Sequence, residues 1–386
     1  MNNILKSSVV YAGADDKSID LFEGQYVVPN GISYNSYVIL DDKITVMDTV
    51  DARASEEWFA GLEKILDGRQ PDYLVVSHVE PDHASNVKRF MEKYPNTYIV
   101  SNAKAFSMLP LLFDGLKLEN RTVIVKEGDM LETGKHTLKF FMTPMVHWPE
   151  VMMTYDETDK ILFSADAFGK FGTLDTEEDW ACEARRYYFN IVGKYGAQVQ
   201  SVLKKLENLE VRAICPLHGP VLSENLDYYI NKYKVWSSYE AEDKGVFIAY
   251  SSLHGNTAEA AEKIKEFLEE KGIKTAIADL ARDDMAEAVE DAFRYDRLIL
   301  ASPTYDGGIM TCMESFLYCL KHKNYQKRTA ALIENGAWAP MAAKKMREAL
   351  EGMKDIKVLD RVVTIRGAVK EKDLEELKVL AEALQM

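Results

Sequence analysis

The run Ser-His-Val-Glu-Pro-Asp-His puts four metal-competent side chains, His78, Glu80, Asp82 and His83, within six residues. They can face one cleft only if the backbone turns, and Pro81 favours a turn. Three further candidates are His147, Asp166 and His218, so four of the chain's seven histidines belong to the set. Four imidazoles and three carboxylates are more nitrogen and oxygen donors than one ion ordinarily takes. Two ions sharing a bridging carboxylate would use them naturally. The oxygen share argues for iron or manganese over zinc. Three carboxylates offset only part of the charge of two such ions, which leaves positive charge to hold hydroxide or a small molecule.

A second group of residues could hold a phosphate and a planar ring. Ser251, Ser252, Leu253, His254, Gly255, Asn256 and Thr257 offer hydroxyl and amide groups between a strand pattern and a helix pattern. A phosphate dianion there would meet a helix amino terminus and backbone N–H groups. The loop has no lysine, so it is not a triphosphate P-loop. Its plainer reading is a helix cap. Two more strand ends carry Ser302, Pro303, Thr304, Tyr305, Asp306, Gly307 and Gly308, then Asn335, Gly336, Ala337 and Trp338. Tyr305 and Trp338 can flank a ring while the glycines let backbone approach its polar rim.

The elements that must position these groups fall into two regions. Ahead of residue 243, SYVILDDKITVMDTV reads as two short strands, and EEWFAGLEKIL as an amphipathic helix with Trp58, Leu62 and Leu66 at spacings of four. YLVVS, TYIVS, HTLKFFMTP, VMMTYDETDKILFSAD and RAICP supply further strands, with two helical patterns around residues 180–208. All of the metal-competent groups follow strand ends, where open sheets usually build their sites. From residue 244 five strands alternate strictly with five helices, which specifies a parallel sheet covered on both faces. The charged stretch Tyr239–Lys244 is the expected boundary, dividing the chain into 1–243 and 244–386.

Composition excludes more than it identifies. The 386 residues hold 47 Lys+Arg and 62 Asp+Glu, a formal charge of −15, with 47% apolar residues. That is globular, and too acidic for a nucleic-acid binder or a general binder of anionic membranes. No apolar run approaches a membrane span, and the amino terminus does not read as a secretory signal. Cys182, Cys215, Cys312 and Cys319 form no Cys-x-x-Cys pair, which implies buried small residues in a reduced, cytoplasmic protein. His136 reads as a solvent-facing strand residue, and His254 either neighbours the phosphate or points outward. The basic run KHKNYQKR (321–328) reads as a solvated connector, or more sharply as a docking patch for an acidic electron donor.

His-x-Glu-x-Asp-His with the later His147 (in His-Trp-Pro-Glu), Asp166 and His218 resembles the flavodiiron protein family, and the resemblance spans nearly the whole chain. It implies an α/β chain: a metallo-β-lactamase-like αββα sandwich followed by a flavodoxin-like, doubly wound, five-stranded parallel sheet binding FMN. Hydrolytic members of the first fold typically carry His where Glu80 stands. The resemblance further implies that His78, Glu80 and His147 hold one non-haem iron, that Asp82, His83 and His218 hold the other, and that Asp166 bridges. It implies reduction of dioxygen to water, of nitric oxide to nitrous oxide, or both. It also implies a head-to-tail homodimer, which can pair again into a tetramer. With no rubredoxin-like module attached, electrons would come from a separate rubredoxin or from a reduced deazaflavin coenzyme. Two competing readings are a dinuclear-zinc hydrolase with an accessory flavodoxin module, and an electron carrier with a dead metal domain.

Overall fold

Residues 8–385 are described in this structure, a computed structural model. They divide into two units: residues up to Tyr188 together with Ala197–Lys234, and Phe189–Gly196 together with Val235 onward.

In the first unit two sheets lie face to face. One orders the strands Val9–Tyr11, Tyr37–Ile39, Thr45–Met47, Tyr73–Val75, Tyr98–Ser101 and Thr122–Ile124; its last three pairings are parallel. The other orders Met130–Glu132, Thr137–Met142, Met152–Asp156, Ile161–Phe163 and Ala213–Cys215, antiparallel except for the last pair. Val75 and Val100 of one sheet and Phe140, Met152 and Phe163 of the other share one buried cluster, so apolar side chains fill the space between the sheets. On helix Ser55–Leu66 the Trp58 ring lies 4.7 Å from that of Phe59 and 6.0 Å from that of Phe90, centroid to centroid. The two helical patterns expected near 180–208 are present as separate helices. Helix Trp180–Tyr187 gives way to a π turn and a 3-10 turn before helix Gly196–Leu206 begins. This is the αββα sandwich of a metallo-β-lactamase-like domain.

The second unit carries the strands Thr275–Asp279, Asp243–Tyr250, Tyr295–Tyr305, Arg328–Asn335 and Ile356–Ile365 in that spatial order, all parallel. The order is 2-1-3-4-5, that of flavodoxin. Val246, Ile248, Ile299, Ile333 and Val363 meet Ile264 and Leu268 of helix Asn256–Glu270 and Leu377 of helix Glu371–Ala383 in one buried cluster. Strand runs of Val, Ile, Leu and Ala without alternation are what burial on both sheet faces demands.

Three expectations are corrected. His136 is 3% exposed; its Nδ1 lies 2.8 Å from Asp156 Oδ2, and the residue precedes strand Thr137–Met142. Of the four free cysteines only Cys215 is buried, and Cys182 is exposed. The basic run 321–328 is no solvated connector. Tyr325, Gln326 and Arg328 are buried, and the Arg328 guanidinium donates to the carbonyls of Tyr295, Tyr239 and Phe293. Lys323 donates to the Asn190 carbonyl, while Lys327 reaches the Ser238 carbonyl and Glu240.

Candidate metal centre and ligand cleft

Strand Tyr73–Val75 delivers His78. The chain then turns at Glu80, extended at φ −57° and ψ 140°, into the single-turn helix Pro81–Ala84 that carries Asp82 and His83. Proline suits the first helical position because its fixed φ is helical and its missing N–H has no acceptor there. His147, Asp166 and His218 follow strands Thr137–Met142, Ile161–Phe163 and Ala213–Cys215. All seven side chains converge. Six of the residues are buried, with Glu80 partly open.

The donors form two groups. His78 Nε2 and His147 Nε2 each lie 3.1 Å from Glu80 Oε2, and 3.4 and 2.9 Å from Asp166 Oδ2. His83 Nε2 and His218 Nε2 each lie 3.2 Å from Asp82 Oδ2, and 3.1 and 3.9 Å from Asp166 Oδ1. Asp166 therefore turns one oxygen to each group. Octahedral bonds of about 2.1 Å at right angles place neighbouring donors about 3 Å apart, the spacing found here. Both Asp82 oxygens, His83 Nε2, His218 Nε2 and Asp166 Oδ1 are buried without a hydrogen bond. Each such atom costs about 1–3 kcal/mol if left unpaired, and a pair of cations would satisfy them together. The residues present fit two metal ions.

The electrostatics point the same way. Burial pushes the His147 imidazole down, but Asp166 and Glu80 overcome it and hold it up at about 9. For His78, burial is likewise overcome by Asp166, Glu150 and Glu80, which raise it well above its usual value. Burial would raise the Asp166 carboxyl, yet the charges of His83 and His78 hold it well below the usual carboxylate range. A carboxylate field strong enough to keep protons on buried imidazoles is equally suited to metal cations that displace them.

Behind the donors stand groups that sequence reasoning did not find. His78 Nδ1 lies 2.7 Å from Glu150 Oε1, which also accepts from the Val79 N–H at 3.0 Å. His218 Nδ1 lies 2.7 Å from the Ser33 carbonyl oxygen. Buried Asp48 accepts from the Ser77 N–H at 2.6 Å, and desolvation lifts its carboxyl to about 6. Phe22 and Tyr187 set their rings 5.4 and 5.6 Å from that of His218. Glu150 had one available signal, its place three residues after His147 in a stretch otherwise lacking charge.

In the second unit a cleft of about 510 Å³ opens at the strand ends, a volume typical of cofactor sites. Ser252, Leu253, His254, Asn256, Thr257, Pro303, Thr304, Asp306, Gly307, Asn335, Gly336, Ala337 and Trp338 line it, joined by Gly367, which was not anticipated. Ser251 and Ser302 are instead buried, their hydroxyls 3.0 Å apart, and Tyr305, Gly255 and Gly308 lie outside the lining. Gly255, at φ +90°, is the cap residue of helix Asn256–Glu270, and a Cβ there would meet open space. The Ser252 hydroxyl accepts from the Gly255 N–H at 3.1 Å and from the Ala258 N–H at 3.3 Å, which curls the loop against the first turn of the helix. Trp338 is 80% exposed at the rim, free to cover a flat ring. A helix amino terminus led by a hydroxyl-bearing loop, open space at Gly255 and an exposed indole fit FMN.

Family models agree with both units: residues 32–219 match the ODP family beta lactamase and residues 247–380 the flavodoxin domain. An uncharacterized protein of Methanocaldococcus jannaschii is 30% identical, covering 96% of this chain and 95% of its own. The nitric oxide reductase of Moorella thermoacetica is 27% identical, over 96% and 95%. Among solved structures, rubredoxin oxygen:oxidoreductase of Desulfovibrio gigas superposes with TM-score 0.90 at 25% identity, over 98% of this chain and 97% of that one. The flavodiiron protein of Giardia intestinalis does so with TM-score 0.90 at 27% identity, over 98% and 94%. With a beta-lactamase-type sandwich, a flavodoxin sheet and full-length matches to such enzymes, the chain is an oxidoreductase that belongs to the flavodiiron protein family.

Proposed function

We propose that this chain reduces dioxygen to water, nitric oxide to nitrous oxide, or both, with electrons entering through FMN from an external donor. The observation that carries the reading is the paired donor set, with Asp166 presenting one oxygen to each group of ligand atoms. His78, Glu80 and His147 would hold one iron and Asp82, His83 and His218 the other. Two irons and FMN, when bound, supply one-electron steps. The protein's own contribution is to fix the donors at about 3 Å spacings and to keep bulk water out with Phe22 and Tyr187. Ser252, Asn256, Thr257 and Trp338 would bind the flavin phosphate and ring. The dinuclear-zinc hydrolase is not favoured, since the relatives with a stated activity are reductases.

The finer assignments belong to the same proposal. Rubredoxin is the donor named for a structural relative, and a reduced deazaflavin is the other candidate. The working unit is a head-to-tail homodimer or a pair of such dimers, and a fully active monomer in light scattering would refute it. The functional division is residues 1–243 for iron and 244–386 for flavin. A cytoplasmic location agrees with four unpaired cysteines, one of them exposed. The test is anaerobic reconstitution with iron and FMN quantified, then separate pulses of oxygen and nitric oxide to the reduced protein. Two irons and one FMN per chain with oxidation by either gas support the reading; zinc uptake with hydrolysis and no gas-driven oxidation defeats it.

A further inference from the structure

The histidines of the two donor groups are not backed alike. His78 Nδ1 donates to Glu150 Oε1 at 2.7 Å, and because that oxygen also accepts from the Val79 N–H at 3.0 Å, Glu150 acts here as an acceptor. Glu150 is 1% exposed, and its second oxygen is buried with no partner. Its backbone is held in turn, since Asn102 Nδ2 donates to the Glu150 carbonyl at 2.6 Å. On the other side His218 Nδ1 meets only a neutral acceptor, the Ser33 carbonyl, and His83 Nδ1 is buried without a partner.

The donors themselves carry equal charge on the two sides. Glu80 with one Asp166 oxygen faces one group, and Asp82 with the other Asp166 oxygen faces the second. Asp48, another buried carboxylate nearby, acts electrostatically on both His83 and His78, more on His83, but it accepts from the Ser77 N–H and hydrogen-bonds to neither imidazole. Glu150 breaks the balance. A carboxylate behind an imidazole fixes its tautomer and makes it a stronger electron donor, which favours the more oxidised metal.

Resting on the iron-binding reading above, we propose that Glu150 is a positioning residue that holds His78 with its Nε2 toward the metal and makes the two irons inequivalent. The iron of the His78, Glu80 and His147 group is the harder one to reduce, and the first electron enters the Asp82, His83 and His218 group.

The test uses the full chain loaded anaerobically with ferrous iron and FMN, as wild type, Glu150→Gln and Glu150→Ala. Glutamine keeps the volume and can still accept from His78 but removes the charge. Chelator competition should show iron held about 10- to 100-fold more weakly in the variants, with FMN content unchanged as the check on folding. Redox titration followed by low-temperature EPR should show the lower of the two iron potentials moving up and the gap between them narrowing. Wild-type iron binding of two per chain, with unchanged affinity and potentials in Glu150→Gln, overturns this inference and leaves the family reading intact. Wild-type protein that takes up no iron overturns both.

Discussion

Asp166 is the residue on which both donor groups converge, with its two oxygens 2.9 and 3.1 Å from imidazoles of the two groups. Asp166→Asn keeps the shape but removes the charge that two cations would share. It should lose half or more of the iron while retaining FMN, read by metal analysis beside the flavin absorbance. The convergence of the seven side chains was legible because each is a chemically distinctive residue that follows an apolar strand. Glu150 was not, because the histidine it supports lies 72 positions away, and its one local signal, a place three residues after His147, points to a different histidine. His136 was misread for a similar reason, its partner Asp156 being 20 positions off. Asp156 raises the His136 imidazole above its usual value, with burial opposing. A raised histidine stabilises the fold fully below its unfolded pKa and loses that contribution as pH climbs through the folded one. His136→Gln should therefore lower the urea midpoint more at about pH 5.5 than at about pH 9, and equal losses at both would refute the pairing.

Helix Ala103–Leu112 is tied to the centre through its cap. Asn102 Oδ1 accepts from the N–H groups of Lys104 and Ala105, each at 3.0 Å, while its Nδ2 holds the Glu150 carbonyl. Asn102→Ala removes a cap worth about 1 kcal/mol and a buried hydrogen bond worth about as much again. Urea unfolding should show a loss near the sum, about 2 kcal/mol. Elements of this length were readable wherever a period had room to repeat. The parallel strands and helices of the second unit run 5 to 15 residues, counting the sheet strands alone, and their alternation was plain. Strands such as Ala14–Asp16 and Leu21–Phe22 span three and two residues. That is too short for any periodicity, so they are set by partners across the sheet.

Electron delivery is a matter for the whole molecule, and the structure narrows the basic patch read from residues 321–328. With Lys323 and Lys327 committed to carbonyls and to Glu240, Lys321 is the exposed lysine of the run that joins no ion pair among the described residues. Lys321→Glu should slow FMN reduction by an acidic donor several-fold at low salt and little at high salt, because encounter charges are screened within about 10 Å at 0.1 M. Equal rates in stopped flow at low salt would exclude the patch. The segment Phe189–Gly196 counts with the second unit although its neighbours on both sides in sequence count with the first. Phe189 stacks on Phe293 with centroids 4.2 Å apart, and Asn190 donates to the Ala286 carbonyl at 3.1 Å. A protein ending at residue 243 would strip Phe189 of that ring, and light scattering should find it aggregated; replacing Phe189 with Ser should reduce the aggregation. The chain changes unit three times, after Tyr188, Gly196 and Lys234. A genetic crossover near residue 240 that gave this iron domain another relative's flavin domain would thus carry eight residues fitted to the wrong neighbour. Recombination should preserve this pair of domains as one inherited block.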